Sequence, residues 1–183
     1  MCGICGVYEY RSLNPASREV LSGMLSVIQH RGPDDEGVYF DKALAMGMRR
    51  LSIIDLQGGR QPISNEDESV HVVFNGEIYN YGDLREGLRV RGHKLQTASD
   101  TEVIVHLYEE LGEECVRELR GMFTFAVWDR SRKRLLLARD RLGIKPLYYA
   151  EIQGGMVFGS EIKALLQHPE LQPRLDRIAL SNY

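Results

Sequence analysis

The sequence predicts an α+β fold in which sheets pack together and helices lie outside. Two observations lead there. Strand patterns cluster toward both ends of the chain, with helical patterns between them, which separates the two element types instead of alternating them. Several of the strands are also apolar on both faces and so need cover on both sides. In one of these, Phe123, Phe125 and Val127 point one way while Met122, Ala126 and Trp128 point the other; Leu135 to Ala138 is continuously apolar.

The elements follow in order. Residues 4–10 read as a strand. Pro15-Ala16-Ser17 opens a helix whose apolar residues Val20, Leu21, Met24, Leu25 and Ile28 recur at helical spacing. His30-Arg31-Gly32-Pro33 ends it, because Gly and Pro both break a helix. Residues 37–40 and 43–54 look extended, and a turn-rich stretch around Gly58-Gly59 leads to a strand over residues 70–74. Asn75-Gly76 directly after it predicts a tight turn. Helices are expected over residues 81–91 and 100–111, the second opened by a capping box of Ser99 and Glu102. Strands over 124–129 and 134–139 form a hairpin, as do 147–151 and 156–159 around Gly154-Gly155. A short helix over 162–167 follows, and another begins at Asp176. That last helix reaches Tyr183 in its second turn with no cap, as expected of a fragment whose natural chain continues.

Composition narrows the function classes. At 183 residues the chain forms one ordinary domain that can bury its own core. Its 43% hydrophobic and 27% charged residues are those of a globular protein. A net charge of -3 supplies no basic footprint for nucleic acid. No run is long and apolar enough to span a membrane, and no signal peptide is legible. Three scattered cysteines do not make a disulfide framework. The expected location is the cytoplasm.

The opening, Met1-Cys2-Gly3-Ile4-Cys5-Gly6, carries the strongest chemical signal. Methionine ahead of a small residue is the usual substrate for removal, and removing Met1 would leave Cys2 with a free α-amine. One residue then holds both a nucleophile and a base. A terminal amine titrates at about 7.7–8.0 and a free thiol at about 8.5, so proton exchange between them costs little near neutral pH. Cys2 and Cys5 also spell C-x-x-C, but residues three apart in an extended segment face opposite sides and do not converge on a metal or on each other. No second pair completes a zinc site.

Acyl transfer at Cys2 would need an oxyanion hole and anchors for the substrate. Asn75 offers a side-chain N–H, and Gly76 a backbone N–H unobstructed by a Cβ. Most Asn-Gly pairs, however, are only turns. Arg49 and Arg50 sit in an otherwise apolar extended run, where only one of the two can point inward; a guanidinium suits a substrate carboxylate. Glu77 and Asp100 are candidates for holding an ammonium, although an acid at a helix start such as Asp100 is common for dipole reasons alone.

Taken together, MCGICGVY, HRGPD, RRLSIIDL, NGEIYNY, SDTEV, GMFTFAVWD and RDRLGIKPLYY occur in order along the chain. This set resembles the glutaminase domain of glutamine-hydrolysing asparagine synthetases, class II glutamine amidotransferases of the N-terminal-nucleophile hydrolase type. The resemblance spans residues 1–183, with residues from about 172 onward beginning the connection to a synthetase domain. It implies a four-layer αββα sandwich. It also implies roles: Cys2 as nucleophile, Asn75 and Gly76 as oxyanion hole, Arg50 for the substrate carboxylate, Glu77 and Asp100 for its amine, and Leu51 and Ile53 as backbone lining of the pocket. His30 and Arg31 are assigned positioning, and Lys145 a structural part. The other histidines, His71, His93, His106 and His168, show no converging pattern and are expected to be ordinary.

The implied reaction is hydrolysis of the L-glutamine side-chain amide through a γ-glutamyl thioester, without metal or organic cofactor. ATP and Mg are expected only in the synthetase domain, whose S-G-G-x-D-S loop does not occur here. There the ammonia would meet activated aspartate. A homodimer is allowed but not required by the sequence. Two alternatives remain: an amidotransferase of the same family with another acceptor, and a non-catalytic interaction module of the same fold.

Overall fold

Alternation along β1 (Gly3–Tyr8) buries both faces of the strand, and this two-sided burial sets the architecture. The structure, a computed structural model, describes residues 1–11, 18–51, 59–175 and 177–181. In chain order the further elements are α1 (Arg18–Val27), β2 (Asp35–Phe40), β3 (Leu44–Arg50), β4 (Ile63–Ser64), β5 (Val70–Ile78), α2 (Tyr81–Val90) and α3 (Glu102–Leu111). They continue with α4 (Cys115–Glu118), β6 (Gly121–Asp129), β7 (Arg134–Arg139), β8 (Tyr148–Ile152), β9 (Gly155–Gly159), α5 (Ile162–Leu165) and α6 (Arg177–Ser181). Two antiparallel sheets result, ordered β2-β3-β1-β9-β8 and β4-β5-β6-β7.

Three apolar clusters fill the three spaces between four layers. Leu21, Met24 and Leu25 of α1, Ile28 just past its end, and Ala164 and Leu165 of α5 pack on Cys5, Val7, Ala45 and Val157 of the first sheet. The opposite face of that sheet, with Ile4, Met46, Met48 and Phe158, meets Val73, Ala126 and Trp128 of the second. The far face of the second sheet, through Val72, Phe125 and Val127, is covered by Leu88, Val103, Ile104 and Leu107 of α2 and α3. The order is therefore αββα, as the resemblance implied. Each fully buried Val, Leu, Ile, Met or Phe among them contributes about 1.5–3 kcal/mol relative to exposure. Trp128 also ties the sheets by polar contact, its Nε1 donating to Asp41 Oδ2 at 2.9 Å. Among the described residues no helix is long and apolar enough to cross a membrane.

Several boundaries differ from expectation for identifiable reasons. Asn75-Gly76 is no turn: β5 runs through it to Ile78, with Asn75 opposite Thr124 and Gly76 opposite Phe123. A nine-residue partner in β6 extends the ladder past the point where the local pair would have reversed the chain. The capping box does not form either. The Glu102 carboxylate reaches back to the N–H groups of Gln96 and Thr97, at 2.6 and 2.9 Å, and Ser99 Oγ accepts from Thr101 N at 3.2 Å. The helix consequently starts at Glu102 and leaves Asp100 outside it. The first strand ends at Tyr8 and β4 was not anticipated. The expected helix opening at residues 15–17, the end of the extended run beyond Leu51 and the start at Asp176 lie outside the described residues.

Candidate active site

The antiparallel pairing of β1 and β3 sets Gly3 opposite Arg49, so the residue before β1 and the residues ending β3 share one end of the sandwich. Parity then separates the two arginines. Arg49 turns to the outer face, where its Nε donates to Leu25 O of α1 at 3.2 Å and its guanidinium pairs with Glu36. Arg50 turns inward and is buried.

Cys2 is held from three sides. The Leu51 N–H donates to its sulfur at 3.4 Å, and the thiol reaches Leu51 O at 3.6 Å. Arg31 Nε donates to the Cys2 carbonyl at 3.0 Å. One strand residue further on, Ile4 N donates to the buried hydroxyl of Ser160 at 3.0 Å, and Ser160 N returns a bond to Ile4 O at 2.8 Å. Arg31 is fixed in turn by Glu161, whose carboxylate also takes His30 Nε2 at 2.9 Å and Lys163 Nζ at 3.0 Å. The Glu161 carboxyl is pulled down to about 2: burial opposes the shift, but bonds from Arg31, Lys163 and His30 outweigh it.

The second sheet contributes an open strand edge. Because β4 pairs only with His71 and Val72, β5 has no strand neighbour beyond Val72 on that side among the described residues. Side chains take the place of the missing strand. Gln61 Oε1 accepts from Phe74 N at 2.7 Å and Asp100 Oδ2 from Ile78 N at 2.9 Å. Backbone N–H groups alternate sides along a strand, so the N–H of Gly76 projects from this same edge, between those two. Asn75 faces the space between the sheets; its Nδ2 is buried with no hydrogen-bond partner among the described residues. An amide donor left in that state costs about 1–3 kcal/mol unless something accepts from it.

Cys2, Arg50, Leu51, Asn75, Gly76, Glu77 and Asp100 all line one cavity of about 240 Å³. Ile53 lies outside the described residues. Asp100 is buried, and that burial pushes its carboxyl above the usual carboxylate range; the nearby Glu77 charge adds to the rise while the Ile78 N–H opposes it. His30 and Arg31 do not line the cavity; Arg31 contacts the Cys2 carbonyl from behind.

Sequence reasoning missed several cavity residues, Gln61 and Lys145 among them. Gln61 gave no signal beyond its place before Pro62. Lys145 is buried against the cavity, its Nζ 3.3 Å from Met1 Sδ. Its structural part is real too: Lys145 N donates to Asp140 Oδ2 at 3.0 Å, and its carbonyl accepts from Arg139 Nε at 2.6 Å. The histidines also need correction. His93 and His106 do converge, with ring centroids 4.9 Å apart, because the loop after α2 folds back on α3 away from this cavity.

Residues 1–183 match the family described as glutamine amidotransferase domain. The chain belongs to that family. Among curated relatives, this amidotransferase domain is 43% identical over 183 residues to asparagine synthetase [glutamine-hydrolyzing] 3 of Bacillus subtilis, covering 99% of the chain and 30% of the relative. It is 47% identical over 173 residues to asparagine synthetase [glutamine-hydrolyzing] 2 of the same organism, covering 92% of the chain and 23% of the relative. A rice asparagine synthetase [glutamine-hydrolyzing] 2, from Oryza sativa subsp. japonica, is 45% identical over 166 residues, or 90% of the chain and 28% of the relative. The amidotransferase domain thus spans less than a third of these relatives. Among solved structures, glutamine phosphoribosylpyrophosphate amidotransferase from Bacillus subtilis, complexed with ADP and GMP, superposes with a TM-score of 0.72 at 19% identity. That match covers 88% of this chain and 42% of the other, and at such identity it speaks for the fold.

Proposed function

We propose that the domain hydrolyses the side-chain amide of L-glutamine with Cys2 as nucleophile, after removal of Met1. The observation that carries this reading is the meeting, in one cavity, of the Cys2 thiol and the buried, unpartnered amide nitrogen of Asn75. In this reading the α-amine freed by Met1 removal takes the thiol proton, directly or through a water. Sulfur adds to the amide carbon, and the developing oxyanion is met by Asn75 Nδ2 and the Gly76 N–H on the open edge of β5. The carbon–nitrogen bond breaks, the nitrogen gains the proton held by the amine, and ammonia leaves. Water then hydrolyses the γ-glutamyl thioester and restores the thiol. Arg50 holds the substrate carboxylate, Glu77 and Asp100 its ammonium, and the Leu51 and Ile53 backbone lines the pocket. Removal of Met1 also clears the mouth of the cavity, which its side chain lines.

The likeness to asparagine synthetases supports a further step in which the ammonia passes to a synthetase domain using ATP, Mg and aspartate, in the cytoplasm. Residues from about 172 would lead toward that domain. No metal or organic cofactor is assigned to the glutaminase step.

The test is the intact mass of the purified chain, measured together with glutamate release from glutamine. Loss of one methionine, with turnover abolished in Cys2→Ala, is the expected result. A processed chain whose turnover survives Cys2→Ala would overturn the assignment.

A further inference from the structure

On the outer helical layer, away from the cavity, four side chains from three segments bring lone pairs to one point. Glu66 follows β4, His93 follows α2, and His106 and Glu109 lie one turn apart on α3. One ligand atom from each lies within 4.8 Å of all the others. His93 Nδ1 is 3.2 Å from His106 Nδ1 and 3.7 Å from Glu109 Oε2. His106 Nδ1 is 2.9 Å from Glu109 Oε2 and 3.7 Å from Glu66 Oε2. Ligands at tetrahedral corners about 2.0–2.1 Å from a zinc ion are separated by about 3.3–3.4 Å. The four observed separations bracket that value.

Hydrogen bonding alone serves this cluster poorly. As a neutral ring, His93 spends its single N–H on Glu110, since Nε2 lies 3.0 Å from Glu110 Oε1. Its Nδ1 is then a lone pair, and one N–H on His106 Nδ1 is shared between that lone pair at 3.2 Å and Glu109 Oε2 at 2.9 Å, with Glu66 Oε2 beyond hydrogen-bond reach at 3.7 Å. A divalent cation would satisfy all four ligand atoms at once.

Outer contacts hold three of the four ligands, while His106 Nε2 is buried with no partner among the described residues. Glu110 orients His93 from behind and is itself held by Arg91 Nε at 2.8 Å. Asn65 Nδ2 holds Glu109 Oε1 at 2.9 Å, and Lys94 N holds Glu66 Oε1 at 3.0 Å, leaving the other oxygen of each carboxylate for the centre. Such outer contacts fix ligand orientation in metal sites. Side-chain exposure rises from 1% at His106 to 38% at Glu66, so the site has a buried floor and an open mouth for entry.

We propose that Glu66, His93, His106 and Glu109 bind one divalent transition-metal ion, zinc by its two-imidazole, two-carboxylate donor set. The ion ties the turn after β4 and the α2–α3 connection to α3. The site is structural and stands apart from the glutaminase reading.

The test uses Zn²⁺ alone on the Cys2→Ala chain, which lacks the part-exposed thiol; Cys5 and Cys115 are buried. The chain is stripped with a chelator, titrated with Zn²⁺ by calorimetry, and melted with and without the ion. One ion per chain and a raised melting temperature are expected. Losing an outer partner of a ligand costs about 10–100-fold in affinity, so His93→Gln and Glu66→Gln should each weaken binding by at least about tenfold. Circular dichroism checks that His93→Gln folds; should it unfold, Glu66→Gln on its exposed turn decides. Absence of saturable one-to-one binding, or unchanged affinity in the folded variants, would overturn the proposal.

Discussion

Arg31 donates from Nε to the carbonyl oxygen of Cys2 at 3.0 Å while its Nη1 grips Glu161 at 3.0 Å. The anchor is on the carbonyl of Cys2 itself, so it does not depend on Met1. It links the turn after α1 to Glu161, two residues past the end of β9, and both lie behind the nucleophile. The HRGPD segment supplies a close fit as well as a charge. A Cβ on Gly32 would lie 2.4 Å from Arg49 C and Arg50 N, so this glycine lets the turn rest directly on the end of β3.

The Glu161 cluster predicts acid lability of a definite sign. Its carboxyl, ordinarily near 4.5, is held at about 2 in the folded chain. A depressed carboxyl contributes stability that is fully present above the unfolded value and is lost as pH falls through the folded one. The window is therefore about pH 4.5 down to 2, and the contribution at neutral pH is on the order of 3 kcal/mol. Urea unfolding across that range should show the loss, and Glu161→Gln should flatten it.

Asn75→Ala removes the proposed oxyanion donor, whose nitrogen has no partner among the described residues. Such losses typically lower kcat by about 10²–10³-fold. Steady-state glutamate release should show that fall with little change in KM, because the amide is needed chiefly after the carbonyl oxygen acquires charge. A mainly raised KM would instead place Asn75 in ground-state binding.

Asp100→Asn keeps an oxygen for the Ile78 N–H and so should fold, while losing the charge proposed to hold the substrate ammonium. A charge-assisted hydrogen bond is worth about 1.5–3 kcal/mol, so KM should rise by roughly 10–100-fold. Burial and Glu77 raise the Asp100 carboxyl, so it takes up a proton at higher pH than an ordinary aspartate does. The KM of the parent chain should therefore climb as pH falls toward that raised value, and the climb should vanish in the variant.

Gly76→Ala would set a Cβ 2.2 Å from Met122 O and 2.6 Å from Phe123 Cα, both backbone atoms that cannot swing aside. Parting β5 from β6 there should destabilise the chain by about 1–3 kcal/mol and displace the Gly76 N–H. Chemical denaturation and glutaminase kinetics on the same preparation would register both. Retention of full stability would mean that the strands separate easily at this point.

Local pattern carried much of the fold. The apolar residues of α1 and α3 recur at helical spacing and bury accordingly, and the alternation along β6 divides between two clusters as read. Where the residues misled, a long-range partner overruled a local preference. Asn-Gly is a turn pair until nine residues of β6 hold it straight, and Ser99 and Glu102 form no reciprocal box once the Glu102 carboxylate turns toward Gln96 and Thr97. The functional residues were legible chiefly through ordered motifs, since Asn75 or Asp100 taken singly suits a turn or a helix start.

By itself the sequence determined the element types, the two-faced burial of the strands and the placing of a cysteine behind a single removable methionine. These follow from period, size and covalent order, all properties of neighbouring residues. Only the tertiary structure decided which arginine faces the cavity, how Gln61 and Asp100 flank the Gly76 N–H on an open edge, that Lys145 lines the site, and that His93 meets His106. Each of those depends on strand parity or on loops folding back over other elements. Packing of distant segments sets such distances, and no local spacing encodes them.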